Sequence, residues 1–297
     1  RRASQHFVLD ETTLSHVAHV CRLVEGMPLA VELAAAWVGV RSCNEIAQEI
    51  AAGSDSLTTR LRNVPERHRS IRATFEHSWQ LLSEAEQVLL AQLSVFRGGF
   101  GREAAEAVTG TTADALSGLL DKSLVRQVAA RRYEMHQLLR QYAAEKLAAM
   151  SKVREAVQAR HARHFTAFLG RQQPRLRAAE QRQALEEIEP EIENARLAWN
   201  VAVSRGWAER VEQSLEGLYQ FHHVRGRFRE GIDLLEGAIG RWRNDVQHER
   251  VYGAALARQG ALFARLRYYD RAETALENSL SIFQRLGIAN EQIFCLV

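Results

Sequence analysis

Residues able to do chemistry come first. His16 and His19, and His161 and His164, stand three residues apart, the spacing that puts two side chains on one helix face. Paired imidazoles could begin a zinc site, but such a site needs a third or fourth ligand. None lies in sequence reach of either pair, and H-E-x-x-H does not occur. Both pairs are therefore expected to be solvated helix faces, with no metal bound. Glu186, Glu187, Glu189, Glu191 and Glu193 form an acidic run. It fits a helix surface near an N-terminus, where negative charge is favoured, better than a pair of catalytic acids. No G-x-S-x-G or other nucleophile signature appears, so no catalytic residue is assigned.

Phosphate chemistry would need G-x-x-x-x-G-K-[ST], whose backbone N–H groups and lysine hold the phosphates. The lysines are Lys122, Lys146 and Lys152, and none follows a glycine. No strand ending in paired acids is present to hold Mg²⁺. This chain by itself is not expected to hydrolyse ATP or to carry a cofactor. Two features still need a reason. Gly26-Met27-Pro28 sits against an alanine-rich apolar run; a proline at the first helical position explains Pro28, since its missing N–H would be unpaired there. His136 sits where a strand pattern gives way to a helix, an ordinary place for a lone histidine.

The elements that position these residues are mostly helical. The chain has 297 residues, 46% hydrophobic and 25% charged, with four prolines, enough for two or three globular domains rich in long helices. A net charge of +3 is too mild to argue for nucleic acid. Three cysteines, an odd number without close spacing, give no disulfide framework and fit a reducing cytoplasm. No apolar run approaches the roughly 18–20 residues that span a bilayer, so no membrane partner is expected. There is no signal peptide and no initiator Met, which suggests a start inside a longer protein.

Three regions are expected: a helical domain over 1–63, a second domain over 64–150, and helical repeats over 151–297 that stop partway through a unit. In the first, helices cover 12–24 and 28–39. Ser42 or Asn44 caps a third, and the polar stretch 53–67 is a connector. In the second, helices cover 69–82, 84–95, 102–108 and 112–121, with Ser83 and Glu86 as a capping box. SLVRQV (123–128) and RRYEMH (131–136) alternate like a hairpin, and a helix runs over 136–149. Helices followed by a two-stranded wing is the order of a winged-helix domain. The helix 112–121 would be its recognition helix. It has Asp114 and Asp121 but no basic residue before Lys122, whereas base reading calls for Arg, Lys, Asn or Gln. DNA is not an expected partner, although Arg126, Arg131 and Arg132 lie on the wing.

In the third region LYQFHHVRGRFREGIDLLEGAI (218–239) aligns with QGALFARLRYYDRAETALENSL (259–280) at an offset of 41 residues. Leu215 pairs with Leu256, Phe228 with Tyr269, Gly231 with Ala272, Leu235 with Leu276 and Ala238 with Ser279. Small residues recur where two helices touch and large ones beside that contact, the logic of a helix-hairpin solenoid. Most of its aromatic residues are expected in the hairpin core. His222, His223, Arg225 and Arg227 fall near a turn between helices and are the candidates for a partner surface.

These motifs resemble one known arrangement. HVCRLVEGMPLAVELAAAWVGVR (19–41) resembles the Gly-x-Pro segment of NB-ARC-type STAND signal-transduction ATPases. Residues 68–104 and 119–147 resemble the start and end of the winged helix in that family's bacterial branch, which includes MalT/LuxR-like and AfsR-like regulators. EIENARLAWNVAVSRG (191–206) and the two repeats resemble its tetratricopeptide-like arm. The resemblance covers nearly the whole chain, in the same order. It implies a mainly α protein: a lid-like helical domain, a winged helix with a small β-hairpin, then a tetratricopeptide-like α-solenoid. It implies that Pro28 packs on the adenine of bound ADP or ATP in the intact parent, and that His136 lies near the β-phosphate. The family's Met-His-Asp reads Met135-His136-Gln137 here, so the acidic third position is lost. The nucleotide core would lie upstream as a partner within the same chain, and a protein or small-molecule effector would bind the arm. The other readings are a non-catalytic tetratricopeptide scaffold and a winged-helix transcriptional regulator.

Overall fold

Helix-period apolar patterning and scarce proline produce a mainly α structure with a small sheet, described in a computed structural model. The structure describes residues 11–24, 30–31, 34–35, 38, 41–52 and 71–296. It divides into two compact units, Arg1–Glu155 and Ala156–Val297. The expected connector at 53–67 and the boundary at residue 63, like most of the expected 28–39 helix, lie outside the described residues.

In the first unit α1 (Glu11–Leu23) packs on α2 (Cys43–Ala52). Val20, Val24, Ile46, Ala47 and Ile50 are buried there. Of the two expected caps it is Ser42 that acts on α2: its Oγ accepts from the Glu45 N–H at 3.3 Å, and the Glu45 carboxylate accepts from the Ser42 N–H at 2.8 Å. The two orphan donors at the helix start are thus satisfied reciprocally.

The winged helix is built from α3 (Ile71–Gln80), α4 (Glu84–Leu93), β1 (Phe100–Gly101), α5 (Arg102–Thr109), α6 (Ala113–Asp121), β2 (Arg126–Ala129), β3 (Arg132–Glu134) and α7 (Gln137–Ala149). The capping box at Ser83 and Glu86 is present. Lys122 adds an ammonium 2.5 Å from the Glu86 carboxylate, and together these bonds hold that carboxyl down to about 2. The hairpin has a third strand that the sequence pattern did not reveal. The antiparallel order is β1-β3-β2, with Phe100 opposite Tyr133. Gly99 makes this possible. Its φ of +88° and the Tyr133 carbonyl 2.8 Å from where a Cβ would stand exclude any other residue without strain. The expected strand at 123–128 starts later, because the N–H groups of Leu124 and Val125 turn back to the Leu119 carbonyl and finish α6 first. α7 is held to α3 by polar bonds over an aromatic base. The buried Tyr142 hydroxyl donates to Glu76 at 2.7 Å, and Lys146 reaches the same oxygen at 2.9 Å, with Phe75 and Trp79 against the Tyr142 ring.

The second unit is all helical in its described residues. It contains most of α8 (Ser151–Leu176), then α9 (Gln181–Ile188), a 3₁₀ turn (Glu189–Glu191), α10 (Ile192–Ser204), α11 (Ala208–Val224) and α12 (Phe228–Trp242). A second 3₁₀ turn (Val246–His248), α13 (Glu249–Arg265), α14 (Tyr269–Leu286) and α15 (Ala289–Leu296) complete it. α11 and α12 form one hairpin and α13 and α14 the next, each packed on its neighbour. The expected register holds in the interior: Leu215, Leu256, Gly231, Ala272, Leu235, Ala238 and Ser279 are buried, and Leu276 is partly buried against the same core. It fails at the hairpin turn. Phe228 packs on the core, but Tyr269 is 65% exposed and Tyr268 44%, so those rings are surface and not hairpin core.

Helix approach sets the spacing of the arm. A Cβ on Gly217 of α11 would stand 2.6 Å from the Leu169 carbonyl of α8, whereas one on Gly237 of α12 would meet nothing within 4 Å. Gly217→Ala should therefore cost about 1–3 kcal/mol through forced separation of the two helices. Gly237→Ala should stabilise by up to about 1 kcal/mol through helix propensity alone. Urea denaturation of the two variants checks both signs.

Candidate functional site

His136 is the residue of the expected nucleotide edge that the structure describes; Pro28 lies outside the described residues. His136 caps α7. Its Nδ1 accepts from the Leu138 N–H at 3.2 Å, and its Nε2 lies 3.0 Å from the Val24 carbonyl. An acceptor at one nitrogen and a carbonyl facing the other fix the neutral tautomer with the proton on Nε2. Val24 is fully buried, at the end of α1 and four positions before Pro28 in sequence. One imidazole thus ties the start of α7 to the segment leading into Gly26-Met27-Pro28. Gln137, in the place of the family's acid, accepts both Nε (3.1 Å) and Nη2 (2.8 Å) of Arg140. Beside it a cavity of about 180 Å³ is lined by Gly98, Gly99, Glu134, Met135, Gln137 and Arg140, among others.

The DNA-reading surface expected of a winged helix is poor here. α6 exposes Asp114, Ser117 and Asp121, and Lys122 is paired with Glu86. Of the wing arginines, Arg126 is paired with Glu134 at 3.1 Å and Arg132 donates to the Gly98 carbonyl at 2.7 Å.

In the arm the four candidate partner residues separate. His222 is fully buried, so it cannot present a surface, and that expectation is corrected. It projects into the hairpin core, where its Cβ would be 3.0 Å from a Cβ on Gly231. Its Nδ1–H donates to the Leu218 carbonyl at 2.8 Å, and its Nε2 has no partner; burial pushes its pKa down, so the ring is neutral. His223 accepts from Arg265 at 2.9 Å. Burial and the Arg265 charge lower its pKa as well. Arg225 and Arg227 both grip Glu189, at 3.1 and 2.5 Å. These arginines join the end of α11 to the turn before α10, a role in the fold that spacing did not indicate.

The acidic run is likewise more than a helix surface. Glu187 takes two bonds from Arg175, at 2.6 and 2.8 Å. Glu189 holds Arg225 and Arg227, Glu191 accepts from Asn194, and Glu193 pairs with Arg196. The histidine pair on α8 is also corrected. His161 is 1% exposed, with Nε2 3.4 Å from the Asn194 side-chain Oδ1, so it is a core residue rather than part of a solvated face. Among the described residues no group of three or more His, Cys, Asp or Glu could hold a metal ion. Among the described residues, too, no helix is long and apolar enough to cross a membrane.

No family model matches the chain. It is 31% identical over 271 residues to a Mycobacterium tuberculosis H37Rv protein named "Putative HTH-type transcriptional regulator", covering 88% of this chain and 30% of that protein. The Mycobacterium bovis counterpart of the same name matches equally. The chain thus spans less than a third of the length of these relatives. A Mycobacterium tuberculosis H37Rv protein without an assigned role is 33% identical over 176 residues, 56% of this chain and 44% of its own. Among solved structures, a Signal Transduction ATPase with Numerous Domains protein with a tetratricopeptide repeat sensor, from Pyrococcus horikoshii, aligns with 95% of this chain and 55% of its own. The identity is 14% and the TM-score 0.25.

Two measurements probe these polar contacts. The residue 41 positions after His222 is Phe263. His222→Phe should stabilise the chain by about 1 kcal/mol, because it removes an unsatisfied buried nitrogen; urea denaturation reads it. The Glu187 carboxyl is held at about 2, mainly by its bonds to Arg175. A carboxyl depressed on folding contributes stability above its unfolded pKa, and that contribution is lost as pH falls through the folded value. The melting-temperature gap between the chain and Glu187→Gln should be full at pH 6, shrink below about 4.5, and close near pH 2.

Proposed function

We propose that this chain is the regulatory part of a STAND-type signalling ATPase, with the winged helix coupling a nucleotide site to an effector-binding helical arm. The observation that carries this reading is the His136 bond to the Val24 carbonyl. It ties Met135-His136 to Val24, two positions before Gly26 in sequence, and both motifs resemble the nucleotide-binding edges of that family. The Nε2–H is a single donor. It can serve the Val24 carbonyl or a phosphate oxygen, but not both with good geometry. With ADP in a core domain of the same protein, the donor would pass to the β-phosphate and the start of α7 would be released from α1. An effector on the arm would then act by differential affinity for the two arrangements. Pro28 would pack on the adenine. ATP or ADP binding needs the phosphate loop, which this chain does not contain.

The name of the mycobacterial relatives supports a regulatory output in transcription. The acidic exposed face of α6 argues that DNA would be read by another part of the protein. A non-catalytic scaffold is the remaining reading, and an intact or degenerate phosphate loop in the full-length gene product separates it from the first. In that full-length protein, His136→Ala should weaken ADP retention about tenfold, the worth of one hydrogen bond to a charged group. Release of pre-bound ADP through a desalting column measures it. Unchanged retention with an intact phosphate loop would overturn the nucleotide role of His136.

A further inference from the structure

An open cleft of about 500 Å³ lies on the arm, lined by Arg163, Gly206, Trp207, Ala208, Glu209, Arg210 and His248. Those residues come from α8, the turn into α11, α11 itself and the 3₁₀ turn before α13. A fourth basic side chain closes on it: the Arg241 guanidinium from the end of α12 lies 2.8 Å from where a Cβ on Gly206 would stand. Arg205 adds a fifth, stacked 5.2 Å from the Trp207 ring. None of Arg163, Arg205, Arg210 and Arg241 takes part in an ion pair among the described residues. Arg163 donates only Nε to the Ala159 carbonyl at 3.2 Å, and Arg210 reaches Gln213 at 3.1 Å, which leaves donors on each guanidinium. His248 has its Nδ1 tied to Asp245 at 2.9 Å, which keeps Nε2 for a ligand.

Elsewhere in the arm clustered arginines are answered by carboxylates: Arg175 by Glu187, Arg225 and Arg227 by Glu189, Arg258 by Glu216 and Glu291. Here Glu209 and Asp245 face five basic side chains. Bringing like charges together is unfavourable, and the repulsion is relieved when an anion enters. The α11 N-terminus has no side-chain cap, so its first-turn dipole adds to the same field. Trp207 and Ala208 give the cleft an apolar wall, and its volume lies in the range of small-ligand sites.

We infer that this cleft binds a small phosphorylated molecule, with Arg163, Arg210 and His248 on the phosphate and Trp207 against the remainder. The site stands at the start of α11, about 24 Å along that 17-residue helix from Arg225 and Arg227. It does not depend on a nucleotide domain.

The test is isothermal titration of the 297-residue chain with sodium pyrophosphate, against sodium chloride at equal ionic strength. Saturable one-site binding is expected. Arg163→Gln with Arg210→Gln should weaken it at least about tenfold, through loss of two charge-assisted bonds. Arg229→Gln, an exposed arginine of α12, should leave it unchanged. Far-UV circular dichroism checks that each variant is folded. Should the double variant unfold, His248→Asn alone should still weaken binding. Heat that does not saturate, or equal affinity in the folded cleft variants, overturns the site. Tighter binding of a DNA duplex than of pyrophosphate, lost in the same variants, overturns the small-ligand assignment.

Discussion

The arm depends on a guanidinium buried between two carboxylates. Arg258 of α13 has a side chain 6% exposed, as has Glu216 of α11. Two of its nitrogens reach Glu216 at 3.1 and 2.9 Å, and the group also pairs with Glu291 of α15. Arg177 extends the row, 2.6 Å from the other Glu216 oxygen. Burial pushes the Glu216 carboxyl up, but the Arg258 and Arg177 charges more than offset this and hold it below the usual range. Such a row adds little stability over an apolar filling, yet losing one member costs about 3–5 kcal/mol. It acts on geometry. Leucine and alanine faces in a helical stack tolerate sliding, because one apolar contact resembles the next. A charge that must meet a particular oxygen on each neighbour does not.

The same selectivity decides what could be read before the structure. The 41-residue offset was legible because burial repeats residue by residue: Leu215 and Leu256, or Ala238 and Ser279, occupy matching interior places. Ser279 shows how a polar residue fits there, since its hydroxyl donates to the Gly253 carbonyl at 2.8 Å. The two tyrosines after Arg267 escaped the pattern, because periodicity reports a face and cannot tell which end of that face the neighbouring unit covers. β1 escaped for a different reason. Two residues carry no alternation, and the strand exists only because β3 offers a free edge and Gly99 turns the chain onto it. A close reading of Arg97-Gly98-Gly99-Phe100 as a turn onto an aromatic was the signal available.

Charged residues were the least legible. The acidic run from Glu186 to Glu193 and the arginines at 225 and 227 look like solvated surface in one dimension. In three, Glu189 of that run holds both arginines, across 36 and 38 residues. Nothing in local spacing indicates such a pairing, because the matching residue is supplied by the next hairpin. The sign of the error is informative. Where the fold brings arginines to carboxylates, charge that looked functional is structural, as at Arg225 and Arg227. Where it brings arginines together without enough carboxylates, as around Gly206 and Trp207, charge that attracted no notice in the sequence becomes the better candidate for a ligand.

His136 lies between these cases. Its type and position at a strand-to-helix junction were plain in the sequence, and its side chain caps α7 there. Its second nitrogen carries the further information. A cap needs only Nδ1, and a histidine chosen for capping alone could leave Nε2 to water. Here that proton meets the Val24 carbonyl, 112 residues away. Serine or aspartate would cap α7 as well, but neither keeps a ring proton at 3.0 Å from that carbonyl. The choice of histidine is therefore explained by the long-range bond, and that bond places one exchangeable donor beside the segment that leads into Gly26 and Pro28.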